Sequence, residues 1–524
     1  MSIQPAWQET LPFFAPQNLV IEPSAALLSS DAGLLPLRQF DHDLGLTQTF
    51  ADALDDPRDP DAIDHTLAEM VRARVYGILA DYVDQNDHDT LRHDPVFKLL
   101  AGRAPDAAPL ASQPTLSRFE NGVAIASLKR LRAVFVDQFI ASFAAPPRQL
   151  TFDLDAVDDA AHGCQQLTFW HNYYDQNQYL PLLITCADND QLVLLSLRHG
   201  SAHAALGADD DLAYLVGRLR AVWPDIVLTA RADAAFGIPD MYAVCERLHI
   251  LYTFGLTANR VLQRRSDALL AQAVAAWASE RQAARLEHRP PRPVRLFDGF
   301  WYRAGSWAAA RWVVVKAEAN VEGSNRRFVV SNRPGAVLLP GATYDEYALR
   351  GESENRNKEF KCGLSMDRLS DHRFLANYFR LYLHAAALNL LVRLRRLVAL
   401  PAPSSVAPAA VAGGSALAPV TALVAAAPAA AAPGDSGAAA ALPVAALAGE
   451  ERGRHFRQRR QRDPLGEGQP GTWRSLFIKV AAEVLVSCRR IVIRLSSSWP
   501  HLGLYQQVCE RLRAPRAAAP LSSG

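Results

Sequence analysis

Cysteine and lysine are scarce in this 524-residue chain. The six cysteines, Cys164, Cys186, Cys245, Cys362, Cys488 and Cys509, show no Cys-x-x-Cys spacing. That argues against a zinc site or a disulfide framework and fits a reducing compartment. The first ten residues lack the basic start and apolar core of a secretory leader, so none is expected. Arg393, Arg395 and Arg396 interrupt the best apolar run after Leu381, which leaves no span for a bilayer. A cytoplasmic protein without a membrane partner is the expectation. No Gly-rich phosphate loop, His-Glu-x-x-His or Gly-x-Ser-x-Gly motif is present, and no internal repeat. Only six of the 55 basic residues are lysines. Arginine's fork suits bidentate phosphate contact, although GC-rich coding produces the same excess.

The formal net charge of +1 conceals a gradient. Residues 1–148 carry 12 basic and 20 acidic side chains, a net of −8, whereas residues 450–524 carry 14 and 6, a net of +8. The basic end is the better electrostatic match to nucleic acid. Length allows two or three domains.

Residues 1–148 read as helical, with helical spacing from Ile63 to Tyr82 and from Val123 to Phe143. Between them, Ser112 to Phe119 reads as a short helix with proline in its first turn. Its Arg118, with Lys129, Arg130 and Arg132 beyond it, could face DNA; a plain helical packing domain fits the pattern at least as well, and the acidic net charge favours it. From Arg148 the period becomes two. Leu150, Phe152 and Leu154 alternate with Thr151, Asp153 and Asp155, which puts both aspartates on one strand face. Strands at 179–187 and 191–198 form a hairpin about Asp188-Asn189-Asp190. A helix over 210–222, a strand over 226–230, a helix over 239–249 and a strand over 250–254 follow. This spacing establishes a mixed α/β domain, and its element order resembles a ribonuclease-H-like core. A long helix over 258–288 and strands about Trp301, 307–316 and 327–331 make a β-rich insert. An apolar helix over 374–400 closes the core at Pro401. Residues 401–449, rich in Ala and Pro, read as a disordered linker, leading to the basic run from Arg452 to Arg462. Phe477 to Val480 and the run from Val484 to Leu495 suggest an ordered piece that packs back on the core.

The segment from Tyr344 to Gly363 is the chemical centre of the chain. Thr343 with Glu346 suggests a capping box and Gly363 a helix stop, so one helix is expected. On a single helix, Tyr347, Arg350, Glu354, Lys358 and Lys361 fall within roughly 80° of arc. A solvated charged face is the plain interpretation. The column also makes chemical sense if Glu354 holds a cation while the basic groups hold phosphates.

The spacing Tyr347-x2-Arg350-x3-Glu354-x6-Lys361 resembles the Tyr-Arg-Glu-Lys signature of cut-and-paste insertion-sequence transposases of the DDE class. Asp153 to Asp159 with Asn172 to Asp175 and Tyr179 to Leu182, Arg231 to Phe236, Phe300 to Tyr302 with Arg327 to Asn332, and His372 to Asn377 with Leu383 to Ala385 resemble successive blocks of its DDE group 1 branch. The resemblance implies a ribonuclease-H-like fold in which Asp155, Asp233 and Glu354 hold Mg2+, or Mn2+, as a pair of ions. It implies that Tyr347, Arg350, Lys358 and Lys361 grip DNA phosphates and the nucleotide near the cut. The implied partners are double-stranded DNA, as terminal inverted repeats and as target, and a second copy in the DNA complex. A nucleoid-associated location follows. The corresponding domains are a helical DNA-end-binding region (1–148), the first part of the core (149–256), a helix with β-rich insert (257–342), the helices carrying the glutamate (343–400), linker and basic run (401–472), and a C-terminal interaction segment (473–513). Val157 departs from the family's usual threonine, and Ala234-Ala235 from its usual Ser-Gly. A repeat-binding regulator without cutting activity, and a nuclease of the same fold without strand transfer, are the alternatives.

Overall fold

Segments rich in valine, leucine and isoleucine gather into one sheet in the computed structural model, which describes residues 8–11, 17, 19–399 and 468–513. The Ala/Pro-rich stretch 401–449 and the basic run after it lie outside the described residues. The sheet strands are β1 (Gln149–Ala156), β2 (Leu182–Cys186), β3 (Leu192–Ser196), β4 (Val227–Ala232), β5 (Leu251–Leu256), β6 (Val294–Tyr302), β7 (Arg311–Asn320) and β8 (Gly323–Ser331). Their spatial order is β6-β7-β8-β5-β4-β1-β2-β3. β1, β4 and β5 run parallel, and every other neighbouring pair is antiparallel. The chain is therefore a mixed α/β protein with a large mixed sheet. Tyr179 belongs to a separate three-stranded sheet of Asp159–Ala160, Phe169–His171 and Gln176–Tyr179, so the expected hairpin is shorter at that end. The β-rich insert builds no layer of its own. β8 pairs with β5 from Thr253↔Ser331 to Leu256↔Phe328 and so extends the central sheet.

Helices cover the sheet. They include α1 (Leu67–Leu79), α2 (Ile125–Ile140), α3 (Ala208–Val222), α4 (Pro239–Arg247), α5 (Asp267–Leu286), α6 (Pro340–Ala348), α7 (Gly351–Lys358) and α8 (Phe374–Ala399). The start of α1 is set by a capping box between Thr66 and Glu69. The single long helix expected over 258–288 is interrupted at Ser266, whose hydroxyl donates to the carbonyls of Leu262 and Gln263. That local bond competes with the ladder and leaves Arg260–Arg265 separate from α5. α8 buries 18 of its 26 residues. A helix apolar on every side needs cover all round, and it receives the N-terminal helices on one side and Leu183, Leu192 and Leu195 of the sheet on the other. Among the described residues no helix is long and apolar enough to cross a membrane. The Asn389 side chain of α8 accepts from Leu192 N at 2.9 Å and donates to Leu192 O at 2.8 Å. It thereby completes the open edge of β3. Strands Ala482–Ser487 and Arg490–Leu495 form a sheet with Leu27–Ser29, and Ile478, Val480 and Val484 join the core around α8.

Charged groups also join these layers. Glu120 is fully buried between Arg74 of α1 at 2.7 Å and Arg380 of α8 at 2.8 Å. Burial pushes its carboxyl upward, but the two guanidiniums outweigh this and hold it down to about 2. Removing one partner of such a group strands charge in the interior. Glu120→Gln should lower stability by about 3–5 kcal/mol, read as a fall in the urea midpoint.

His88 and His384 are also fully buried, and burial, with Arg74 close by, lowers both to about 3. Their folded-state pKa lies below the ordinary 6.5, so the unfolded chain binds more protons below that pH. Stability present at pH 7 is lost progressively from about pH 6.5 toward 3, by on the order of 1 kcal/mol per histidine per pH unit at first. Urea titrations at pH 7 and 5 should show the lower midpoint at pH 5.

Candidate active site

Two parallel strands deliver the first two carboxylates. The pairing of β1 with β4 ends at Leu154↔Ala232, with Asp153 opposite Arg231. One further step brings Asp155 level with Asp233. Asp153 lies on the same strand face but is engaged in structure: its two oxygens take Arg231 Nε at 2.7 Å and an Arg231 terminal nitrogen at 2.8 Å, both side chains being buried. Asp158 is likewise occupied, by Lys361 at 2.8 Å and Gln176 Nε2 at 3.2 Å. Of Asp153, Asp155 and Asp158, Asp155 is the one bonded to α7. Its Oδ1 accepts from Ala156 N at 3.0 Å and its Oδ2 from Asn357 Nδ2 at 2.7 Å. Burial raises its carboxyl to about 6, with Arg350 opposing and with Asp233 and Glu354 adding to the rise. Asp233 caps the turn Ala234–Phe236, its Oδ1 accepting from Ala235 N at 2.9 Å. The third carboxylate comes from α7.

The expected single helix over 344–363 is not formed. α6 begins at Pro340, a residue suited to the first helical position. Thr343 donates to Leu339 O instead of capping, and Glu346 makes a bidentate pair with Arg333 at 2.8 Å. At the junction Arg350, Glu352 and Ser353 bond three residues back rather than four, and Gly351 opens α7. A π-helical turn over Glu359–Gly363 ends the segment. Gly363 is not the left-handed residue; Ser365 is, at φ 53°. This tightening and loosening redirects the column. Arg350 reaches Glu354 at 2.9 Å and Asp155 at 3.6 Å. Tyr347 stays beside it, with the guanidinium carbon 5.9 Å from the ring centre. Lys358 is exposed, and Lys361 turns away to Asp158.

Arg231 also donates to Glu346 O at 2.8 Å and so ties α6 to the sheet beneath the site. Gly255 makes the close approach there: a Cβ on it would lie 2.6 Å from Ala234 N and 2.9 Å from the Tyr347 hydroxyl. A glycine inside a strand is the signal for such an approach, and it went unread, as did Asn357. Arg118 and Lys129 are exposed. Arg130 pairs with Asp55 at 2.6 Å; Arg132 pairs with Asp211 at 2.8 Å and lies 4.0 Å over the Tyr214 ring. These two arginines are engaged in packing α2.

The donor set, three carboxylates on separate elements, is all oxygen, as Mg2+ or Mn2+ requires. Among the described residues no three acidic, histidine or cysteine side chains are gathered as a ready-made cation site. Arg350 stands between Asp155 and Glu354 and supplies the positive charge there. Beside it, a groove of about 340 Å³ runs over β6, β7 and β8, with Arg295, Lys316 and Arg327 on the sheet side and Tyr344, Tyr347 and Glu354 on the helix side.

The family described as transposase DDE domain group 1 matches residues 15–409, a span holding all three carboxylates and the whole central sheet. No curated protein matches the chain. With three quarters of its length covered by that match, the chain belongs to the DDE transposases of insertion-sequence type, domain group 1.

Proposed function

We propose that the protein binds the terminal inverted repeats of its element and catalyses metal-dependent strand cleavage and strand transfer by a cut-and-paste route. The observation that carries this reading is Arg350 bridging Asp155 and Glu354, with Asp233 in electrostatic range of Asp155 and Arg350. The order β3-β2-β1-β4-β5, with β1, β4 and β5 parallel, is compatible with a ribonuclease-H-like core. Asp155, Asp233 and Glu354 would hold two Mg2+ or Mn2+ ions. When bound, such ions activate the attacking water or hydroxyl and stabilise the leaving oxygen.

The protein's own groups prepare that state. Asp233 and Glu354 both oppose ionisation of the largely buried Asp155, and a cation relieves that repulsion. Arg350 would then leave Asp155 and Glu354 for a DNA phosphate, which its planar fork suits. Tyr347, packed against Gly255, would set the nucleotide beside the cut. Lys358 and the basic side of the groove would hold flanking phosphates, and Lys361 would keep Asp158 away from the cation. A second copy is proposed to complete the complex on paired DNA ends, which then join target DNA.

Cleavage of a labelled duplex bearing the terminal repeat, with Mg2+ or with chelator, tests this. Glu354→Gln should lower cutting at least 100-fold while binding persists, as expected when a metal-ligand charge is lost. Binding without cutting by the unaltered protein would favour the regulator; cutting without joined products would favour the nuclease.

Arg350 competes with the cation. Arg350→Gln should therefore raise Mn2+ affinity of the DNA-free protein and weaken its grip on repeat DNA. Because the raised Asp155 carboxyl ionises only as pH passes about 6, Mn2+ binding measured by calorimetry should weaken as pH falls through that value.

A further inference from the structure

The helix that carries Glu354 has no apolar hold of its own. α7 reads Gly-Glu-Ser-Glu-Asn-Arg-Asn-Lys, eight residues without one apolar side chain. A helix that short is not stable alone, and without an apolar stripe it has no face to pack. Its position is therefore set largely from its ends. Upstream it follows α6, which Arg231 and Arg333 tie to the sheet. Downstream the wide turn Glu359–Gly363 leads into the core, where Phe360 and Leu364 are buried.

That downstream end is gripped by a segment far off in sequence. Gly468 O accepts from an Arg395 terminal nitrogen at 2.8 Å, and the same nitrogen pairs with Glu359, the first residue of the turn, at 2.9 Å. Pro470 lies against Gly363, the last residue of the turn: a Cβ there would stand 2.8 Å from the proline Cγ and 3.1 Å from its Cδ. Just beyond, Leu364 O accepts from His384 Nδ1 of α8 at 2.9 Å. The gripping segment is itself anchored. Trp473 is wholly buried, Arg474 donates to Ile78 O at 3.0 Å and Leu79 O at 2.9 Å, and Lys479 pairs with the buried Asp31 at 2.7 Å.

A wedge fixed on the N-terminal helices and touching both ends of the turn limits how far α7 can slide or rotate. Resting on the transposase reading above, we propose that the C-terminal segment from Gly468 positions Glu354: it clamps the turn after α7 at Glu359 through Arg395 and at Gly363 through Pro470, and so holds Glu354 where it can share a cation with Asp155. Arg395 and Glu359 are then positioning residues, acting through α7 and not on the cation or the DNA. Glu354 lies five residues before Glu359, little more than one helical turn, so a shift of the turn carries it along.

Gly363→Ala in the full chain tests this, because the added methyl drives Pro470 off the turn. At a temperature where every variant is folded, hydrogen exchange at the amides of 353–361 should accelerate. Mn2+ affinity of the DNA-free protein should fall by about 10-fold and the cutting rate on saturating repeat DNA by about 10- to 100-fold, the scale of lost support behind a metal ligand, with repeat affinity unchanged. Adding Pro470→Gly, which removes the ring, should restore most of all three. Arg395→Gln should act in the same direction from the other end of the turn. Normal exchange in Gly363→Ala, no relief on removing the ring, or faster exchange with Mn2+ affinity and cutting intact would each overturn the proposal. Exchange and Mn2+ affinity need no DNA: if both move as expected in a protein that does not cut, the cut-and-paste reading falls and the clamp stands. An unaltered protein that binds no Mn2+ would overturn both.

Discussion

The buried pair of Asp153 and Arg231 is the constraint from which the site follows. It joins adjacent parallel strands by two bonds, with the side chains 2% and 5% exposed. A slip of one residue in β4 would turn Arg231 to the other face and leave Asp153 charged and unpaired in the interior, a penalty of several kcal/mol. The register is therefore held, and with it the level placement of Asp155 and Asp233. The third bond of Arg231, to Glu346 O, carries the same constraint into α6.

From α6 the chain reaches Glu354 through a deliberate irregularity. A regular helix through Gly363 would present five side chains as a stripe. The tightened bonds at Arg350 and the wide turn at Glu359 divide them: Arg350 and Glu354 stay with Asp155, while Lys361 goes to Asp158. The wide turn has its own support, because Glu359 is buried between Arg356 and Arg395, both at 2.9 Å. That cluster, the one around Glu120, and Arg396 with Asp190 at 3.3 Å tie α8 by charge as well as by apolar contact. The helix under the site is thus fixed against both the N-terminal helices and α7.

The two sides of the site then separate by chemistry. Towards β6, β7 and β8 the surface is basic, because the added strands set Phe297, Lys316 and Arg327 in one cross-strand row. Towards the hairpin after β1 it is aromatic, with Asp158 held between Lys361 and Gln176.

Much of this was legible in the sequence because it depends on local pattern. Alternation at Leu150, Phe152 and Leu154 gave the first strand, apolar runs gave the others, and the late Tyr-Arg-Glu-Lys spacing pointed to Glu354 with Arg350. Periodicity sees only which side of an element is buried, so it left Asp153, Asp155 and Asp158 undivided. Their separation depends on Arg231, Asn357 and Lys361, which lie 78, 202 and 203 residues from the aspartates they bind. The break at Arg350 has a local and a distant cause: Pro340 starts α6 ahead of Thr343, while Arg333 takes Glu346 and Arg395 takes Glu359. By itself, then, the sequence determined the elements and the residues able to do the chemistry; strand register and buried charge pairs, which are contacts between distant segments, decided which of those residues meet.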